Sequence, residues 1–183
     1  NPRGTPAHVE QHGKALAAEV NRVLGGEMKQ VQPGLRAAYR SVELEFAPHT
    51  REQFEEESKT GNPYQQSRAR EMLKAYDERR PVRRLMYPVQ AIRLGKDVTF
   101  VGMGGEVVVD YGLQTKREFA GHDIIVAGYT HDVMSYIPTV RILREGGYEP
   151  NTSMIYYGMP GPYAESVEER IFAAIRQVLG RGG

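Results

Sequence analysis

The stretch DVTFVGMGGEVVVDYGLQTKREFAGHDIIVAGY, residues 97–129, constrains the fold of this chain more than any other. Two short apolar runs flank a segment of helical periodicity, and a glycine pair stands between the first run and that segment. Apolar runs of this length read as buried strands, and the middle segment reads as a helix over residues 106–119. A strand, helix, strand succession joins two parallel strands through a crossover within one sheet. DVTFVGM is apolar at successive positions, which predicts a central strand covered on both faces. The pair Gly104-Gly105 lets the chain reverse sharply, because glycine tolerates positive φ and close approach. Glu106 comes directly behind, in the predicted first helical turn, near the carboxyl end of a strand where α/β sheets commonly place ligands. Two readings of Glu106 stand side by side: a ligand or catalytic carboxylate, or an acid that complements the helix dipole. GMGGE is not a dinucleotide fingerprint, since the third glycine of G-x-G-x-x-G is absent.

Periodicity and punctuation give the remaining elements. TPAHVEQHGKALAAEVNRVLGG carries Val9, Leu16, Val20, Val23 and Leu24 at helical spacing and stops at Gly25-Gly26. LRAAYRSVELEF alternates as a strand with Val42, Leu44 and Phe46 on one face. Thr50 and Gln53 have capping-box spacing for a short acidic helix, and Asn62-Pro63 opens a second charged helix. LMYPVQAIRL and DVTFVGM form a hairpin through Gly95-Lys96. Ser166 and Glu169 have capping-box spacing for a last helix with the stripe Val167, Ile171, Ile175, Val178 and Leu179. The fold class is α/β, a mixed β-sheet flanked by helices. At 183 residues the chain suits one domain or a large piece of a bigger one.

A formal net charge of +1 gives no overall pull toward nucleic acid or an anionic membrane. With no cysteine there is neither a disulfide nor a thiolate zinc site. No apolar run reaches membrane-span length, and the start NPRGTP, without Met, reads as a processed or excised piece. His8 and His12 share a helix face, but HVEQH is not H-E-x-x-H, so a surface role is expected. His49 precedes a helix cap and His122 a strand. His131 alone comes after a strand end where a pocket could form. The long segment beyond DIIVAGY holds Tyr129, Tyr136, Tyr148, Tyr156 and Tyr157. Either function gathers there, or the tyrosines pack over the sheet edge with their hydroxyls in water.

GMGGEVVVDYG, VAGYTHDVMSYIPT and REGGYEP together resemble the neutral, non-lysosomal ceramidase family. That family has a strand, a Gly-Glu turn and a helix near its zinc site, then an A-G-x-T motif, a G-Y-V-T-T-like segment and an R-Y-E-G-like segment. Tyr148 lies twelve positions after Tyr136, as in the family pattern, without a gap. The opening NPRGTP…EQHGKALAAEV is also similar, so the resemblance spans essentially the whole chain. It implies a zinc-dependent amidase that hydrolyses N-acyl sphingoid, ceramide-like lipids, exported to the periplasm or outside and in peripheral contact with membrane. By position it implies Glu106 and Tyr136 as zinc ligands and Tyr148 as the phenol that stabilises the oxyanion. Such a site is chemically coherent, because zinc polarises the carbonyl and activates water while a phenol donates to developing charge. The family's other zinc ligands are histidines in the first half of its catalytic domain. The chain, residues 1–183, therefore resembles the C-terminal portion of that domain, with the histidine-bearing N-terminal half as its implied partner. His131 and Asp132 stand where the family usually carries Asn and a small residue, which leaves the substrate open. The reading from another class is a non-enzymatic binding or assembly module that keeps this scaffold.

Overall fold

A computed structural model describes residues 3–180. The chain divides into two compact units, Asn1–Val31 and Gln32–Gly183. The first unit holds helix α1 (Pro6–Leu24), which starts at a proline behind Thr5. The imidazole of His8 completes its cap by accepting from the Thr5 amide at 3.1 Å. His8 and His12 are thus a cap residue and an exposed neighbour, in line with the surface role expected of them. No residue of α1 is buried.

The second unit is built on strands β1 (Leu35–Glu45), β2 (Arg84–Leu94), β3 (Val98–Met103) and β5 (Asp123–Ala127). They form one four-stranded sheet in the order β1-β2-β3-β5, while the two-residue strands β4 (Glu106–Val107) and β6 (Tyr136–Ile137) pair apart from it. β1, β2 and β3 are antiparallel neighbours, and β3 and β5 pair in parallel across α4 (Val109–Glu118). This is the mixed α/β sheet flanked by helices that the apolar runs predict. Between β1 and β2 lie α2 (Arg51–Thr60) and α3 (Pro63–Asp77), each opened by its expected cap. Thr50 and Gln53 exchange hydrogen bonds, and Asn62 Oδ1 accepts from the amides of Tyr64 and Gln65.

One face of the sheet carries the core. Ala38, Ala91, Val101 and Val126 form a row across it by register, and α6 (Ser166–Gly180) packs on β1 and β2. All five residues of the predicted α6 stripe are buried, each contributing on the order of 1.5–3 kcal/mol relative to exposure. The Ser166 cap does not form as predicted. Ser166 is already inside the helix, and its buried hydroxyl has no partner.

The opposite face corrects the expectation of a covered central strand. Its row is Ala37, Ile92, Phe100 and Ile125. Phe100 is 37% and Ile125 47% exposed, with Tyr39 at 50% and Met86 at 58% on the same side. The strand is central in order, but Phe100 and Ile125 on this face stay exposed among the described residues.

Candidate functional site

The chain leaves β3 into the Gly104-Gly105 turn, and the residues directly behind the glycines are extended rather than helical. Glu106–Val107 is the short strand β4, paired in parallel with β6. The Glu106 amide donates to the Ser135 carbonyl at 2.8 Å, and the Val108 amide to the Ile137 carbonyl at 3.3 Å. Val107 and Val108 are β-branched and accept this extended path, so α4 begins only at Val109. The expectation that Glu106 sits in the first helical turn is corrected accordingly. Complementing the helix dipole is not what places this carboxylate.

Gly105 is required here. Its φ is +74°, and a Cβ would lie 2.7 Å from both Ile137 Cγ1 and the Ser135 carbonyl oxygen. Three backbone bonds stitch the segment after β5 around this glycine and its neighbour. The Gly105 amide donates to Asp132 at 2.7 Å and its carbonyl accepts from Tyr129 at 2.9 Å, while the Glu106 amide reaches Ser135.

Three buried tyrosines support the same turn from beneath. Tyr87 donates to the Gly104 carbonyl at 2.8 Å, and Tyr111 to the Pro138 carbonyl at 3.0 Å. The Tyr163 hydroxyl lies 2.7 Å from Ser135 Oγ, which donates to the Tyr136 carbonyl. Burial pushes the Tyr87 and Tyr111 phenols well above their ordinary range and Tyr163 up to about 12, so all three stay neutral. Sequence reasoning missed them. Nothing in the local pattern separates a tyrosine that holds a loop from one that fills a core, although Tyr87 in its alternating strand had an inward position.

Because Glu106 and Tyr136 are register partners in a parallel ladder, their side chains leave the same face of the two-stranded sheet. Burial and then hydrogen bonding to Glu106 hold the Tyr136 phenol up at about 12. Tyr129 reaches the same carboxylate, and that hydrogen bond lifts its phenol to about 12 as well. Tyr157 lies near enough to feel the Glu106 charge, though burial raises it more. Tyr148 stands edge-on to Tyr136 with ring centroids 5.8 Å apart, then Tyr156 at 6.4 Å from Tyr148, and Tyr64 of α3 at 4.9 Å from Tyr156. The structure thus brings Glu106, Tyr136 and Tyr148 together on one side of the molecule.

The long segment after β5 is more ordered than its weak periodicity predicts. It contains β6, α5 (Val140–Glu145) and a 3₁₀ turn (Thr152–Tyr157). Asp110 binds both Thr139 and Arg141, and Glu168 accepts from the Val140 amide, which anchors α5 over α4 and α6.

The histidines stand apart from this carboxylate. His131 Nε2 lies 3.2 Å from Gln90 Oε1, and its ring is 6.0 Å from that of Tyr39, so it faces the open side of β1 and β2. Asp132 accepts from the Val133 amide with its side chain. His49 is buried between α2 and α3, and His122 is exposed. Among the described residues, no group of three or more His, Cys, Asp or Glu side chains could hold a metal ion. None of the described helices is long and apolar enough to cross a membrane. Compared with known proteins, the chain matches no family model, no curated protein and no solved structure.

Proposed function

We propose that the chain is the C-terminal portion of a zinc-dependent amidase acting on N-acyl sphingoid, ceramide-like lipids. In this reading Glu106 and Tyr136 are zinc ligands and Tyr148 is the oxyanion donor. The observation that carries it is the register pairing of Glu106 with Tyr136, which sets a carboxylate and a phenol side by side. The donor set fits one side of a zinc site. Zinc takes three or four protein ligands, and two oxygens leave the rest to imidazoles from elsewhere. Bound zinc supplies Lewis acidity toward an amide carbonyl and toward water. The protein's own part is to hold Glu106 on a rigid turn, to give up the Tyr136 proton to solvent when a cation arrives, and to aim the Tyr148 hydroxyl at developing negative charge.

The uncovered sheet face supports the second half of this reading. Parallel strand pairs such as β3 and β5 are ordinarily buried on both faces. Phe100, Ile125, Met86 and Tyr39 are exposed on it, and the His131 ring lies 6.0 Å from that of Tyr39. The cover this reading names is the histidine-bearing half of the same domain.

The test is an assay of the chain in its full-length context, with N-acyl sphingosine as substrate and bound zinc measured by atomic absorption. Release of free sphingoid base that disappears together with zinc in Glu106→Gln and Tyr136→Phe supports the amidase. Absence of hydrolysis by the zinc-loaded, full-length protein leaves the binding or assembly module.

A further inference from the structure

The core face of the sheet changes character two residues beyond Ala38, Ala91 and Val101. Its next row, toward the β2–β3 hairpin, is Arg36, Arg93 and Thr99. Arg36 and Arg93 are direct cross-strand partners, so their Cβ atoms stand about 4.5–5.5 Å apart. Like charges placed opposite each other repel, and such a pair is destabilising when nothing of opposite sign lies between them. Arg93 has a structural duty, since it donates to the Leu179 carbonyl at the end of α6, where a cation complements the helix dipole. Arg36 has none: it is exposed, and among the described residues no carboxylate pairs with it.

The pair opens into a recess of about 800 Å³, within the size range of small-ligand sites. Lys96 of the hairpin, Thr99 and His122 also line it, so every charged side chain on its wall carries positive charge. The rest of the wall is backbone held firmly in place. Gly95 donates its amide to the Gly34 carbonyl at 2.8 Å, and a Cβ on Gly95 would come 2.5 Å from the Gln32 carbonyl oxygen. Asp97, the carboxylate of the same hairpin, accepts from the Gln32 amide at 3.0 Å and does not line the recess.

We propose that this recess binds a phosphate group, carried by a soluble phosphate monoester or by a lipid headgroup. A phosphate among Arg36, Arg93 and Lys96 turns a repulsive row into charge-assisted hydrogen bonds, with planar guanidinium forks matched to its oxygens. The Thr99 hydroxyl and a His122 ring N–H are further donors on the same wall. The recess lies at the opposite end of β3 from Glu106, so the inference does not rest on the metal-site reading.

Two arms at one ionic strength test it on the purified chain. One is calorimetric titration with inorganic phosphate; the other is co-sedimentation with phosphatidylcholine vesicles that contain phosphatidic acid. Arg36→Gln and Lys96→Gln each remove one cation of the recess, while Lys59→Gln removes the same charge from α2. Saturable binding that weakens about 10-fold or more in both recess variants and is spared in Lys59→Gln supports the site. Uptake of inorganic phosphate without response to the vesicles assigns a soluble ligand, and binding to the vesicles assigns a headgroup. In phosphate-free buffer Arg36→Gln should keep or raise the thermal midpoint, because it relieves the repulsion with Arg93. A lowered midpoint with phosphate binding unchanged makes Arg36 a structural residue and overturns the proposal. No saturable binding in either arm, or an equal loss in Lys59→Gln, overturns it as well.

Discussion

Tyr87 donates its buried phenol to the Gly104 carbonyl at 2.8 Å, and this bond ties the inner face of β2 to the turn that presents Glu106. Gly104 is itself buried and close-packed, for a Cβ there would meet Met134 Cε at 3.0 Å and Pro88 Cγ at 3.1 Å. Tyr87→Phe keeps the ring and deletes the donor, leaving a buried carbonyl without its partner. The expected cost is about 1–3 kcal/mol of stability, read as a lower urea midpoint with unchanged slope. An unchanged midpoint would show that water replaces the phenol at no cost.

The open sheet face gives a second prediction. Phe100 and Ile125 are exposed register neighbours, so the chain alone should bind an apolar dye and self-associate as its concentration rises. Replacing both by Lys should suppress both behaviours while changing stability by no more than about 1 kcal/mol. Sedimentation velocity and urea unfolding measure the two sides. A double variant that unfolds outright would mean the face is already packed in solution.

His49 gives a pH dependence whose sign is fixed by its surroundings. Its Nε2–H donates to the Val82 carbonyl at 2.7 Å, and Nδ1 lies 3.1 Å from the Tyr76 hydroxyl. Burial pushes the imidazole below its ordinary value, the Val82 bond pulls it partly back, and the Arg83 charge lowers it further. The unfolded imidazole titrates near about 6.5. Between that value and the lower folded one, the unfolded chain binds more protons, so stability rises with pH through the window and is lost as pH falls. His49→Gln should shrink the difference in urea midpoint between about pH 7.5 and about pH 5. An equal difference in the variant would place the acid sensitivity on other groups.

The parts of this molecule legible in sequence are those set by local chemistry. The caps at Thr50 and Asn62 and the α6 stripe depend on neighbours within a turn or two, and they form as the spacing dictates. The crossover from β3 through α4 to β5 was readable from the order of apolar runs. What sequence could not place was decided by distant partners. Glu106 reads as a helix start until Ser135, almost thirty positions on, accepts its amide and draws it into a strand. Ser166 has the right spacing to cap, yet the helix already includes it. Glu106, Tyr136 and Tyr148 were singled out by resemblance, and their adjacency was readable from none of them alone. Tyr87, Tyr111 and Tyr163 were invisible as supports because their partners are backbone carbonyls and a serine far along the chain.

Tyr148 separates catalysis from packing. It is half exposed, edge-on to Tyr136, and comes after Gly146 and Gly147, both at positive φ, so its place depends on a turn rather than on a buried ring. Tyr148→Phe therefore keeps nearly all the ring contact and should change stability by no more than about the worth of one hydrogen bond, roughly 0.5–1.5 kcal/mol. If its hydroxyl donates to an oxyanion, turnover of an N-acyl sphingoid substrate by the full-length, zinc-loaded protein should fall on the order of a hundredfold or more. The loss should appear in kcat and equally in kcat/KM, because the interaction exists only in the transition state. Zinc content should not change, since Tyr148 is no ligand in this scheme. Tyr136→Phe should differ in kind: in the same scheme it deletes a ligand oxygen, so zinc content itself should fall. Full turnover in Tyr148→Phe with zinc bound would remove Tyr148 from the chemistry and leave it as one ring in the tyrosine row that runs to Tyr64.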